Sequence, residues 1–123
     1  MRTLALALGW LMVLAILWLS LTPSPPTLDV ALGDKLGHLG AYGALMFWFA
    51  RLYDGRTTRI AYAVAFVAMG IGLEFAQAAT GHRHFELLDM AANALGVLLG
   101  WAAAVTIPRA RRAAERGTRS ADR

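Results

Sequence analysis

Charge in this chain is segregated, and that segregation excludes most ways of folding in water. Thr3–Leu21 carries no charged residue, and three further apolar stretches of similar length are separated by short charged connections. A membrane-spanning helix needs about 20 predominantly apolar residues. Charged residues make up 16% of the 123 positions and hydrophobic ones 58%, where a soluble domain averages about 25% charged. The pattern points to a small all-α membrane protein, with enough chain for one domain.

The first stretch opens on Arg2 as a signal peptide would. It is longer than a signal core, and no small-x-small cleavage site precedes Pro23, so a retained helix over Thr3–Leu21 is expected. Prolines 23, 25 and 26 then stop it. A second helix is expected from near Asp34, as N-cap, to about Tyr53. The third is expected from Thr58 to Ala79, with Thr57 or Thr58 as cap and Gly81 as stop, and the fourth from Phe85 to Ile107, ended by Pro108. The expectation is a four-helix transmembrane domain over residues 1–107, packed as a small bundle, and a basic, disordered tail over 108–123.

Arginine and lysine set the orientation. Arg2, the trio Arg51, Arg56 and Arg59, and the six arginines from Arg109 to Arg123 fall on one side, and only Lys35 and Arg83 fall on the other. Both termini are therefore expected in the cytoplasm. The tail reads as a topology anchor touching anionic lipid. A nucleic-acid partner is not expected, because no aromatic residues interleave with the arginines. Cysteine is absent, which excludes a disulfide framework, a thiol nucleophile and a cysteine metal site.

Against this apolar background, three pairs of polar residues stand at helical spacing: Asp34/His38, Glu74/Gln77 and Asp89/Asn93. A carboxylate facing hydrocarbon costs about 2.5–3.5 kcal/mol at a helix centre. Asp34, His38 and Tyr42 are four residues apart and share a face. With the topology above, His38, Glu74 and Asp89 each lie roughly 5–8 Å inside the outer helix ends, so three helices offer polar groups at one depth. Small residues would let those helices approach closely, above all Gly96-Val97-Leu98-Leu99-Gly100, with Asn93 about one turn before it.

The run Asp34-Lys35-x-x-His38-x-x-x-Tyr42, then Glu74-x-x-Gln77, then Arg83 followed by Asp89-x-x-x-Asn93-x-x-Gly96, resembles the VanZ-like family over about residues 15–105. The founding member of that family is associated with low-level resistance to the glycopeptide antibiotic teicoplanin. The resemblance implies a membrane location and marks these positions. It supplies no reaction.

Each marked residue has a bland reading beside a functional one. Asp34 is a helix cap, or a carboxylate paired with Arg83 or Lys35 or facing a ligand. His38 is a packing residue, or a general acid/base, the role imidazole most often fills. Glu74 handles a proton, or pairs with Arg83 or His38. Asp89 and Asn93 act on a ligand or join helices, and Tyr42 and Trp48 are interface or packing aromatics. The candidate catalytic residues are His38, Glu74 and Asp89. The candidate ligand-binding residues are Asp34, Lys35, Tyr42, Gln77, Arg83 and Asn93, with Lys35 and Arg83 suited to a phosphate or carboxylate. A zinc site could draw on His38, His82, His84, Glu74 and Asp89. It is not expected, since Arg83 lies between two of the histidines and no H-x-x-x-H or H-E-x-x-H occurs. No cofactor is expected.

Three functions fit. One is an enzyme acting on an envelope lipid or lipid-linked precursor. Another is a binding or transport module for a headgroup, a glycopeptide-type or other amphiphile, or an ion, transport requiring a homo-oligomer. The third is a scaffold whose polar groups only join helices. Whether there is catalysis stays open. Partners are expected among membrane lipids and amphiphiles. The Ala-, Gly- and Arg-rich usage suits a bacterium, so the expected location is a bacterial cytoplasmic membrane, the polar cluster on its outer side.

Overall fold

A computed structural model describes residues 1–26, 32–81 and 84–108. The tail expected over 108–123 lies, apart from Pro108, outside the described residues. Four helices follow one another: α1 (Arg2–Leu21), α2 (Gly33–Leu52), α3 (Arg56–Ala79) and α4 (Leu87–Thr106). No strand occurs among the described residues.

The helix ends are made differently from the sequence expectation. Asp34 does not cap α2. Leu32 holds that position, at φ 63°, and Asp34 sits in the first turn. Neither Thr57 nor Thr58 caps α3, whose N-cap is Gly55. A carboxylate in a first turn still gains from the positive end of the helix dipole. Gly81 does follow the end of α3, at φ 73°, where a side chain would be strained. Two arginines close the opposite end of the bundle. Arg59 Nε–H donates to the carbonyls of Ala50 (3.1 Å) and Tyr53 (2.8 Å) at the end of α2. Arg51 donates to Ala104 (3.3 Å) and Ile107 (2.6 Å) at the end of α4. Each satisfies carbonyls that a helix terminus leaves without partners.

α2 is the centre of the fold and packs against α1, α3 and α4. Leu45, Met46 and Phe49 are completely buried, and Tyr42 and Ala50 nearly so. Phe49 meets three rings, Trp10 at 5.7 Å, Tyr62 at 4.7 Å and Phe66 at 5.3 Å. The tightest approach is between α2 and α4. A Cβ on Gly96 would lie 2.4 Å from Leu39 O, and one on Gly100 would lie 2.1 Å from Gly43 O. The backbones therefore touch through glycine, as the G-x-x-x-G spacing allows.

α1, α3 and α4 are each long and apolar enough to cross a membrane, whereas α2 is not in that set. The reason lies in where each helix faces. α1, α3 and α4 turn large apolar side chains outward, including Leu11, Leu14 and Trp18 on α1, Val64 and Phe75 on α3, and Leu98 and Leu99 on α4. α2 faces protein on most sides, and it carries Asp34, Lys35, His38, Arg51 and four glycines. Soluble monomers rarely expose contiguous apolar patches beyond a few hundred Å²; this exterior suits hydrocarbon.

α1 is held most closely near its start. Trp48 Nε1–H donates to Ala5 O at 2.8 Å, and Gly9 packs under the Phe49 ring. Farther along, α1 is tied to the bundle through Ser20 O, which accepts Gln77 Nε2–H at 2.8 Å. A cleft of about 370 Å³ lies between the later half of α1 and the first turns of α2.

Candidate functional site

The end of α1, the start of α2, the end of α3 and the start of α4 meet at one end of the bundle, where the marked polar residues gather. Lys35 from α2 meets Glu86, the N-cap residue of α4, and its Nζ lies 2.8 Å from Asp89 Oδ1 and 4.0 Å from Asp34 Oδ2. His38 Nδ1–H donates to Asn93 Oδ1 at 2.9 Å. Its Nε2 lies 3.6 Å from Asp89 Oδ2 and 3.9 Å from Asp34 Oδ1. Asp89 and Asn93, four residues apart on α4, are both buried and present their polar atoms to the same stretch of α2. Gly70 on α3 gives Asn93 its room, because a Cβ there would come within 2.9 Å of Nδ2.

The Glu74/Gln77 pair divides. Gln77 reaches α1 through Ser20. Glu74 Oε2 accepts the backbone N–H of Glu86 at 3.4 Å, so this buried carboxylate stands at the amino end of α4. Position within α3 suggested no capping role for Glu74, yet it serves a different helix, which local sequence does not disclose. Tyr42 is 1% exposed, and its hydroxyl has no hydrogen-bond partner among the described residues. Arg83 and His82 lie outside the described residues, while His84 is exposed.

Lys35, suited on sequence grounds to a phosphate, is ion-paired with Glu86 and Asp89. Glu86 falls inside the fourth helix expected from Phe85, with no mark of a site, and is instead the N-cap residue of α4. Its place three residues before Asp89, the N-cap to first-turn interval, is the signal that joins it to the cluster. Asp34, His38 and Asp89 bring one ligand-capable atom each to within 4.8 Å of one another. That trio differs from the zinc set weighed from sequence, and the Lys35 ammonium already stands at its edge as a cation.

The cleft opens beside this network. Asp34, His38 and Tyr42, the residues expected on one face, form part of its α2 wall, together with Gly33, Gly37 and Ala41. Ile16, Leu19, Ser20, Pro25 and Pro26 form the other wall. The lining residues on the α1 side escaped sequence reasoning, since a helix packed by one half and parted by the other leaves no periodic mark.

No family model matches the chain, and no solved structure matches it. Over 77 residues it is 35% identical to the "Uncharacterized protein C11E3.10" of the fission yeast Schizosaccharomyces pombe. That stretch is 60% of this chain and 48% of the relative, so the match spans about half the length of the curated relative. The relative is eukaryotic, and the similarity therefore lends no support to a bacterial membrane.

Proposed function

We propose that the chain is a polytopic membrane protein of VanZ-like type that binds the polar head of a lipid-like amphiphile at its Asp34–His38–Asp89 cluster. The observation that carries this reading is the cleft, which has an apolar wall on α1 and a polar wall on α2. An acyl or alkyl chain against Ile16 and Leu19 would bring its head to Asp34 and His38. A volume near 370 Å³ falls in the range of small-ligand sites, about 300–1,000 Å³.

The membrane reading has α2 spanning inside the shelter of the other three helices, with both termini cytoplasmic. Its support is the collection of Arg2, Arg51 and Arg59 at the end opposite the polar cluster. Arg2 lies 5.9 Å from the Tyr53 ring, and the other two close helix ends there. His38 beside Asp89 is suited to moving a proton, so binding and subsequent chemistry are compatible at this site. A scaffold reading draws on the same contacts, since Gln77–Ser20 and Lys35–Asp89 both join helices.

The test uses mass spectrometry of the protein released intact from native bilayers. Wild-type chain is expected to carry one bound amphiphile. Leu19→Trp, which adds bulk from the α1 wall of the cleft, is expected to lose it. Equal retention by both would sink the amphiphile reading.

A further inference from the structure

We propose that the apolar tail of the bound amphiphile lies across the bare backbone of Gly37, and that this one missing side chain keeps the cleft open to it. The inference rests on the reading of the cleft as an amphiphile site, and it assigns the residue that the alkyl or acyl chain needs.

Glycine is the poorest helix former after proline, so a glycine inside a helix calls for a reason. Several in this chain have theirs within the protein. A Cβ on Gly9, Gly43, Gly70, Gly96 or Gly100 would come within 3.3 Å of an atom from a neighbouring helix. Gly55 is the N-cap residue of α3, and Gly81 follows its end at a positive φ. Gly37 has no such reason. It stands one turn inside α2, and a Cβ there would meet nothing within 4 Å.

The cleft supplies one. Gly33, Gly37 and Ala41 follow one another at four-residue intervals, and all three belong to its α2 wall. Ile16 and Leu19 are the large apolar residues of the opposite wall. Gly37 is exposed, whereas Gly33 and Tyr42 on the same wall are buried, so the space before Gly37 is an open part of the cleft. Gly40 and Gly72 also have room for a Cβ, but neither lines the cleft. Their open space faces no site, and they serve as controls.

What lies on Gly37 is the tail and not the head. The N–H and C=O groups inside a helix are bonded to one another, so Gly37 offers shape and no hydrogen bond. An alkyl chain gains there as a neighbouring helix gains at a small residue, by approaching the backbone closely. The polar side chains of the same wall, Asp34 and His38, stand within one turn of Gly37 and are left to the head.

The experiment uses the full chain in phosphatidylcholine nanodiscs and one photoreactive probe, a dodecyl glycerol ether with a diazirine in mid-tail. Its neutral head keeps charge out of the comparison. Labelling of residues 15–26, read by peptide mass spectrometry, reports the tail against the α1 wall. Gly37→Leu is expected to lower that labelling about ten-fold or more, the effect of a misplaced methylene in an apolar pocket. Gly37→Ala is expected to lower it by less, with the thermal midpoint unchanged or higher, since no protein atom opposes its Cβ and alanine is the better helix former. Weaker binding in a chain no less stable is a result that a packing role for Gly37 does not give. Gly72→Leu, exposed and outside the cleft, should label as the wild type does. Labelling lowered by Leu19→Trp but by neither Gly37 variant overturns the proposal and leaves the amphiphile site standing. Wild-type labelling no higher than that of Leu19→Trp removes both. A loss in Gly37→Leu that comes with a lower thermal midpoint, while Gly37→Ala labels as fully as the wild type, assigns the effect to folding and overturns the proposal. An equal loss in Gly72→Leu also overturns it.

Discussion

Gly100→Ala is expected to destabilise the folded chain by about 3 kcal/mol or more, the upper range for overpacking a filled interior. The new Cβ would lie 2.1 Å from Gly43 O and 2.9 Å from Gly43 C. Both obstacles are backbone atoms, so no rotamer change relieves the clash and the helices must part by more than 1 Å, given that close C···O contacts fall at about 3.3–3.6 Å. Gly96→Ala meets Leu39 O at 2.4 Å and Gly43 N at 3.1 Å, and should behave in the same way. Separation at Gly96 also reaches the polar site. Asn93 lies about one turn earlier on α4, and its 2.9 Å hydrogen bond with His38 spans the same two helices. Gly40→Ala and Gly72→Ala are the controls. A Cβ at either meets nothing within 4 Å, and both should be neutral or stabilising by up to about 1 kcal/mol, the usual Gly-to-Ala gain in a helix. Thermal and denaturant midpoints in nanodiscs separate the two groups.

Lys35→Met is expected to cost about 2 kcal/mol, because it removes the half-buried cation that partners a buried carboxylate. The Asp89 side chain is only 5% exposed, and without the Lys35 ammonium it would share its surroundings with Asp34 and Glu86. Combining Lys35→Met with Asp89→Leu should recover most of the loss, since no buried carboxylate is then left without its cation. A double-mutant cycle on unfolding free energies measures the coupling. Glu86→Gln serves as the surface comparison. Its side chain is 46% exposed, and the change should cost less than about 1 kcal/mol.

The two variants bear on how much of this molecule its sequence discloses. Apolar runs of helical length announced four helices, and the ends found lie within two residues of those expected. Thr3–Leu21 against Arg2–Leu21, and Phe85–Ile107 against Leu87–Thr106, show the scale of the difference. G-x-x-x-G announced a close crossing, and it forms between Gly96, Gly100 and Gly43. Intervals of four residues put Asp34, His38 and Tyr42 on one wall, because helical geometry alone determines that.

Relations between helices were less legible. Lys35 has no mark in its own neighbourhood that assigns it to Glu86, 51 residues away. Glu74 looked unexplained because its contact lies at the start of the next helix. The cleft follows from the way α1 is held near Ala5 and Gly9 and parts from α2 later, and that depends on Trp48 and Phe49. The low hydropathy of α2 becomes intelligible only when its neighbours are seen to be protein.

A polar cluster that serves a ligand in the cleft, and is more than a join between helices, can lose binding without losing stability. His38→Gln tests it most directly, since glutamine keeps polarity while removing the imidazole. Thermal stability in nanodiscs and bound amphiphile per chain would be measured on the same sample. Bound amphiphile should fall about ten-fold, the loss of one strong polar contact, with stability unchanged or higher. Retention that falls only in proportion to stability would contradict it and make the cluster a structural join.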